Sequence, residues 1–185
     1  MRTLCLLSIA ASFSTVVFAQ GNPSQGRMND KMTEVAKGST GANGADDMKF
    51  AKNAMIFGLT ELQLGKLAAE KASSDSVRQF AQKVAEAQEK ANAQLKQIAA
   101  NFKIPVPDEV DPKHASRVDK LSKLSGEEFD KAYVKDELKE REHNDRDFYM
   151  ESMNGSNPAL KDFAAKNRTA MEDQIEQLKA LEKGK

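Results

Sequence analysis

The chain has 185 residues, with 28 basic and 28 acidic side chains, two His, one Cys and no Trp. Zero formal net charge speaks against nucleic acid as a partner, because phosphate binding needs a concentrated basic surface, and no polybasic patch for an anionic membrane is evident. A single cysteine excludes an intrachain disulfide and a Cys-based metal site.

The N-terminus reads Met1-Arg2-Thr3, then an apolar run from Leu4 to Phe18, then Ala19 ahead of Gln20. This is the pattern of a secretory signal peptide, residues 1–19, cleaved after Ala19. The run is too short for a membrane span, which needs about 20 apolar residues, and no later segment is apolar enough. Cys5 lies in the apolar region and not at the cleavage point, so it is not an acylation site and leaves with the leader. Localisation is expected to be periplasmic or secreted, with peripheral attachment as the form any outer-membrane association would take. The partner is expected to be a protein of the cell envelope.

Residues 20–45 are rich in Gly, Ser, Asn and Thr and read as a flexible tether. The domain then occupies 46–185. Helical periodicity runs from Asp47 to Ala72, with the small residues Ala54, Gly58, Gly65, Ala68 and Ala72 on one face. Ser73-Ser74-Asp75 breaks and recaps the chain. A second helix places Val77, Phe80, Ala81, Val84, Ala91, Leu95, Ile98 and Phe102 on one face. Pro105, Pro107 and Pro112 then forbid a continuous helix and mark a long connection, followed by a short amphipathic helix from Lys113 to Leu124.

Ser125-Gly126-Glu127-Glu128 has the form of a capping box, with Leu124 and Phe129 as its hydrophobic staple. It predicts a long helix to about Asn154. Asn157-Pro158 then predicts a cap and first turn for a last helix burying Leu160, Phe163, Ala164, Met171, Ile175, Leu178 and Leu181. No segment alternates with period two, so no strands are expected.

Each long helix sets one polar residue inside its apolar stripe: Glu61, Gln88, Arg141 and Gln174. Together they predict a polar core layer. Glu140-x-x-His143 has the spacing of a di-metal bundle motif, but His143 points roughly opposite Leu138, and such a centre uses two motifs. Glu86 and Glu89 flank Gln88 and fit a charged surface. His114 is expected at an exposed helix start. No nucleophile motif or phosphate loop is present, so an enzyme is not expected, nor is a cofactor.

The stretch from Phe50 to Leu181 resembles the bacterial family called domain of unknown function 4142, sometimes labelled a predicted outer membrane protein. The resemblance rests on Gly58 to Ala68, Phe80-Ala81, Ala91-Asn92, Leu95, Leu124-Ser125-Gly126, Phe129-Asp130, Tyr133, Phe148, Pro158-Ala159-Leu160-Lys161 and Phe163-Ala164. It implies an all-α, ferritin-like antiparallel four-helix bundle with a proline-bearing crossover and a short extra helix. It also implies inward histidines, which by position fall on Gln88, Arg141 and Gln174. All three are replaced here, while the first-helix glutamate stands as Glu61.

Amides are poor ligands for transition metals and a guanidinium has no free lone pair. The expectation is therefore a hydrogen-bonded structural cluster in which Arg141 neutralises Glu61. The rival is a ferritin-like metal-binding protein with Glu61, Glu86, Glu89 and His143 as ligands.

Overall fold

The computed structural model describes residues 42–184. The expected signal peptide and most of the tether lie outside the described residues. Five helices follow in order: α1 Ala42–Lys71, α2 Asp75–Phe102, α3 Pro112–Ser122, α4 Gly126–Asn154 and α5 Pro158–Lys183. Among the described residues there is no strand, and no helix is long and apolar enough to cross a membrane.

The first helix starts at Ala42, earlier than the Asp47 expected and inside the stretch assigned to the tether. Its glycine-rich composition hid the register: Gly44 is buried and continues the inward stripe of Asp47, Phe50, Ala51 and Ala54.

Prolines and caps set the other boundaries. Lys103 turns into the left-handed region at φ 55° and returns its N–H to Ala100, which ends α2 ahead of Pro105. Asp111 caps α3, accepting from the His114 N–H with Pro112 in the first turn. Asn157 accepts from the N–H groups of Ala159 and Leu160 and starts α5 as the sequence predicts. The capping box at Ser125 does not form. Ser125 is the N-cap residue of α4, but its hydroxyl makes no cap bond. Gly126 instead takes φ 64°, a conformation glycine adopts without strain, and its backbone pairs with Ala72.

α1 and α2 form one hairpin and α4 and α5 the other. Two buried aspartates tie each hairpin to the other's turn. Asp130 of α4 accepts from Ser73 N, Ser73 Oγ and Ser74 N at the α1–α2 turn. Asp47 of α1 accepts from Ser156 N and Asn157 N at the α4–α5 turn. These ties make α1 antiparallel to α4, so the segment carrying α3 crosses the full length of the bundle.

The apolar core is divided in two. One half gathers Phe50, Met55, Leu95, Phe148, Leu160 and Phe163. The other gathers Leu64, Val77, Phe80, Phe129, Tyr133 and Leu178. Two glycines let α2 lie close on α1: a Cβ at Gly65 would stand 2.7 Å from that of Ala85, and one at Gly58 would strike the Asn92 and Gln88 amides.

Candidate functional site

α4 carries an inward stripe at alternating spacings of four and three: Asp130, Val134, Glu137, Arg141, Asn144, Phe148 and Glu151 are all buried. Most of that stripe is polar. At its middle, Arg141 and Glu137 are fully buried and meet Glu61 of α1, which is 1% exposed.

Arg141 Nη2 donates to Glu61 Oε2 at 2.6 Å, and Nη1 donates to Glu137 Oε2. Arg117 of α3 completes the arrangement from the other side. Its Nη2 donates to Glu137 Oε1 at 2.8 Å and its Nη1 to Glu61 Oε1 at 3.3 Å. The four groups therefore close a ring in which each guanidinium bridges both carboxylates and each carboxylate oxygen faces a guanidinium. Two buried positive charges offset two negative ones, the condition under which a buried ionic cluster is tolerable.

The ring has further supports. Arg141 Nε donates to Gln174 Oε1 of α5 at 3.1 Å, and its guanidinium lies 5.7 Å from the Phe57 and Phe80 ring centres. Arg117 Nε donates to Asp136, which is partly exposed. Leu138 packs against both halves of the core at this level, so the ring marks their seam.

Electrostatics follow from this geometry. Burial resists charge on Glu61, but Arg141, the contact with Glu137 and Arg117 together hold its carboxyl below the usual range. Burial and the charge of Glu61 push Glu137 well above that range, against the pull of Arg141 and Arg117. Burial disfavours both guanidiniums, yet Glu137 and Glu61 keep Arg117 and Arg141 more firmly protonated than in water. Burial, then the Glu137 and Glu61 charges, raise the Tyr133 phenol.

Of the four residues predicted to form a layer, Glu61, Arg141 and Gln174 meet in hydrogen bonds. Gln88 is only half-buried and donates to Asn92 Oδ1 of its own helix at 3.3 Å, over Gly58. Sequence reading missed Glu137 and Arg117. Glu137 lies on the same stripe as Arg141, one turn earlier, and that spacing was the available signal.

The rival ligand set is dispersed. Glu86, Glu89 and His143 are exposed, whereas Glu61 is sealed in the ring. Glu86 accepts from Gln82 at the surface. Among the described residues, no group of three His, Cys, Asp or Glu side chains is arranged to hold a metal ion. His114 is half-buried, its Nδ1 against the Asp111 carboxylate at 2.7 Å.

A second acidic cluster sits at the far end of the α4 stripe. Glu151 is 5% exposed, its Oε1 has no hydrogen-bond partner, and it lies in contact with Asp47. Burial, reinforced by Asp47 and Asp46, pushes its carboxyl up to about 7.

Comparison with known proteins gives the chain a family and a fold without supplying a chemistry. Residues 32–181 match the family described as Domain of unknown function (DUF4142), and the chain belongs to that family. No curated protein matches it. A crystal structure of a DUF305 fragment from Deinococcus radiodurans is similar, with a TM-score of 0.67 at 14% identity. The match covers 76% of this chain and 97% of that chain, and it speaks to the fold alone.

Proposed function

We propose that this chain is a non-enzymatic, exported protein of the bacterial envelope, acting through its surface in structural, interaction or stress-protective contacts. Its inner site, on this reading, is a structural ion-pair ring and not a metal centre. The observation that supports it is the closure of the ring: all four oxygens of Glu61 and Glu137 face guanidinium nitrogens.

A ferritin-like di-metal centre requires several carboxylates and two imidazoles converging on the ions. Here the two bridging cations are Arg117 and Arg141, which stay protonated and have no lone pair to give. The donors present do not fit a di-metal site. Catalysis has as little to work with, since the ring carboxylates are sealed and hydrogen-bonded on both oxygens. Export is supported by the leader pattern of residues 1–19.

The reading is tested by the melting temperature of the leader-free protein with Fe(II), Mn(II) or Zn(II). A ligand at about 100 times its Kd would add about 2.7 kcal/mol, several degrees in a domain of this size. No shift is expected. A rise abolished by Glu61→Ala would replace the structural ring with a ferritin-like metal-binding site.

A further inference from the structure

Between α3 and α4 lies a groove of about 480 Å³ that no sequence segment announces. Lys113 and Lys120 of α3 face Lys135 and Lys139 of α4 across it. All four are exposed, and among the described residues none has a carboxylate within ion-pair distance. The acidic residues nearby do not balance them. Asp136 is engaged by Arg117 and Asp111 by His114, which leaves Glu140 as the one unpaired carboxylate lining the groove. The excess stands out in a chain whose total charge is zero.

The floor of the groove is apolar, made by Leu121, Leu124 and Ala132. One charged group reaches it from below. Arg117, with a side chain 10% exposed, lines the groove while its other contacts belong to the buried ring. The volume is in the range of small-molecule clefts, which combine apolar walls with a few convergent polar groups.

We propose that this groove binds an anionic amphiphile: a phosphate headgroup held by the lysines, with its apolar portion on Leu121, Leu124 and Ala132. Unpaired ammonium groups converging from two helices provide the complementarity for the headgroup. The apolar floor distinguishes an amphiphile from a free inorganic anion, for which half-buried Leu124 and Ala132 would offer nothing. The sequence showed no polybasic patch because the lysines stand seven apart on one helix and four apart on another. Only the packing of α3 on α4 gathers them.

Isothermal titration of the purified protein with dihexanoyl phosphatidylglycerol, kept monomeric, tests the proposal. Dihexanoyl phosphatidylcholine and inorganic phosphate serve as comparison probes. Saturable binding of the phosphatidylglycerol is expected, much stronger than that of the other two and weakened at high salt. Lys120→Gln/Lys135→Gln/Lys139→Gln should reduce it at least tenfold, whereas Lys83→Gln/Lys90→Gln on exposed α2 positions should leave it unchanged, both with the parent's circular dichroism spectrum. Leu124→Ser should weaken phosphatidylglycerol without raising the affinity for phosphate. Equal binding of inorganic phosphate would overturn the amphiphile and leave a plain anion site. Absence of binding, or binding that survives the triple lysine change, would overturn the site altogether.

Discussion

Replacing Arg141 by Met tests how the ring holds the bundle together. Arg141 donates to Glu61, Glu137 and Gln174 from a position with no solvent access. Its loss leaves two buried carboxylates and only Arg117 to serve them, and Arg117 is shared with Asp136. Breaking a buried ion pair by removing one partner typically costs about 3–5 kcal/mol. Two stranded carboxylates put Arg141→Met at the upper end of that range, a large part of the 5–15 kcal/mol that holds a domain folded. At this chain length the melting temperature should fall by roughly 10–20 °C.

Glu61→Gln in the same molecule removes one of the two negative charges and leaves Glu137 paired with Arg117 at 2.8 Å. The double variant should therefore be more stable than Arg141→Met alone, with a coupling energy above about 2 kcal/mol in urea unfolding at constant m-value. Single costs that simply add, to within about 0.5 kcal/mol, would refute the ring as a coupled unit.

Glu151 makes a prediction about pH. Its folded pKa of about 7 lies above that of an unfolded glutamate, so its contribution is fully present below about pH 4.5 and is lost as pH rises through 7. Thermal melts should fall between pH 5.5 and 8 by on the order of 1–2 kcal/mol after allowance for solvent screening, and Glu151→Gln should remove that share of the slope. A slope identical in parent and variant would assign the pH dependence elsewhere, with Glu137 the first candidate. Asp130→Ala strands three donors at the α1–α2 turn and should cost about 2–4 kcal/mol in urea unfolding, while Asp130→Asn recovers only part. A cost below about 1 kcal/mol would show that the tie between the hairpins is solvated. Gly58→Ala forces a methyl onto the Asn92 and Gln88 amides and should lower stability by about 1–3 kcal/mol, the reverse of the usual gain for Gly to Ala within a helix.

Much of the fold was legible because it rests on local rules. The apolar faces of α2 and α5, the proline-marked crossover and the Asn157 cap follow from spacing and from the geometry of single residues. The failures share a cause, which is that a neighbour decided the outcome. Ser125 makes no capping bond where Gly126 sets its backbone beside Ala72, and Asp130, one turn further into α4, ties the same junction to Ser73 and Ser74. The start of α1 was masked by small residues whose burial depends on the partner helix.

The candidate site divides in the same way. Glu61, Arg141 and Gln174 stood out as polar residues among apolar neighbours. Glu137 did not, because the inward stripe of α4 is itself mostly charged and an apolar arc cannot locate it. Arg117 sits on a short helix whose placement over α1 and α4 is set by the crossover, a relation between segments that no periodicity encodes.

Elemental analysis of the protein lacking residues 1–19, before and after exposure to Fe(II), Mn(II) and Zn(II) followed by desalting, bears most directly on the closed ring of Glu61, Arg117, Glu137 and Arg141. Near-zero metal per chain in every sample is the predicted result, for the parent and for Glu61→Ala alike. One or two ions per chain in the parent, lost in Glu61→Ala, would contradict the account: the guanidiniums would then have to yield their carboxylates to metal.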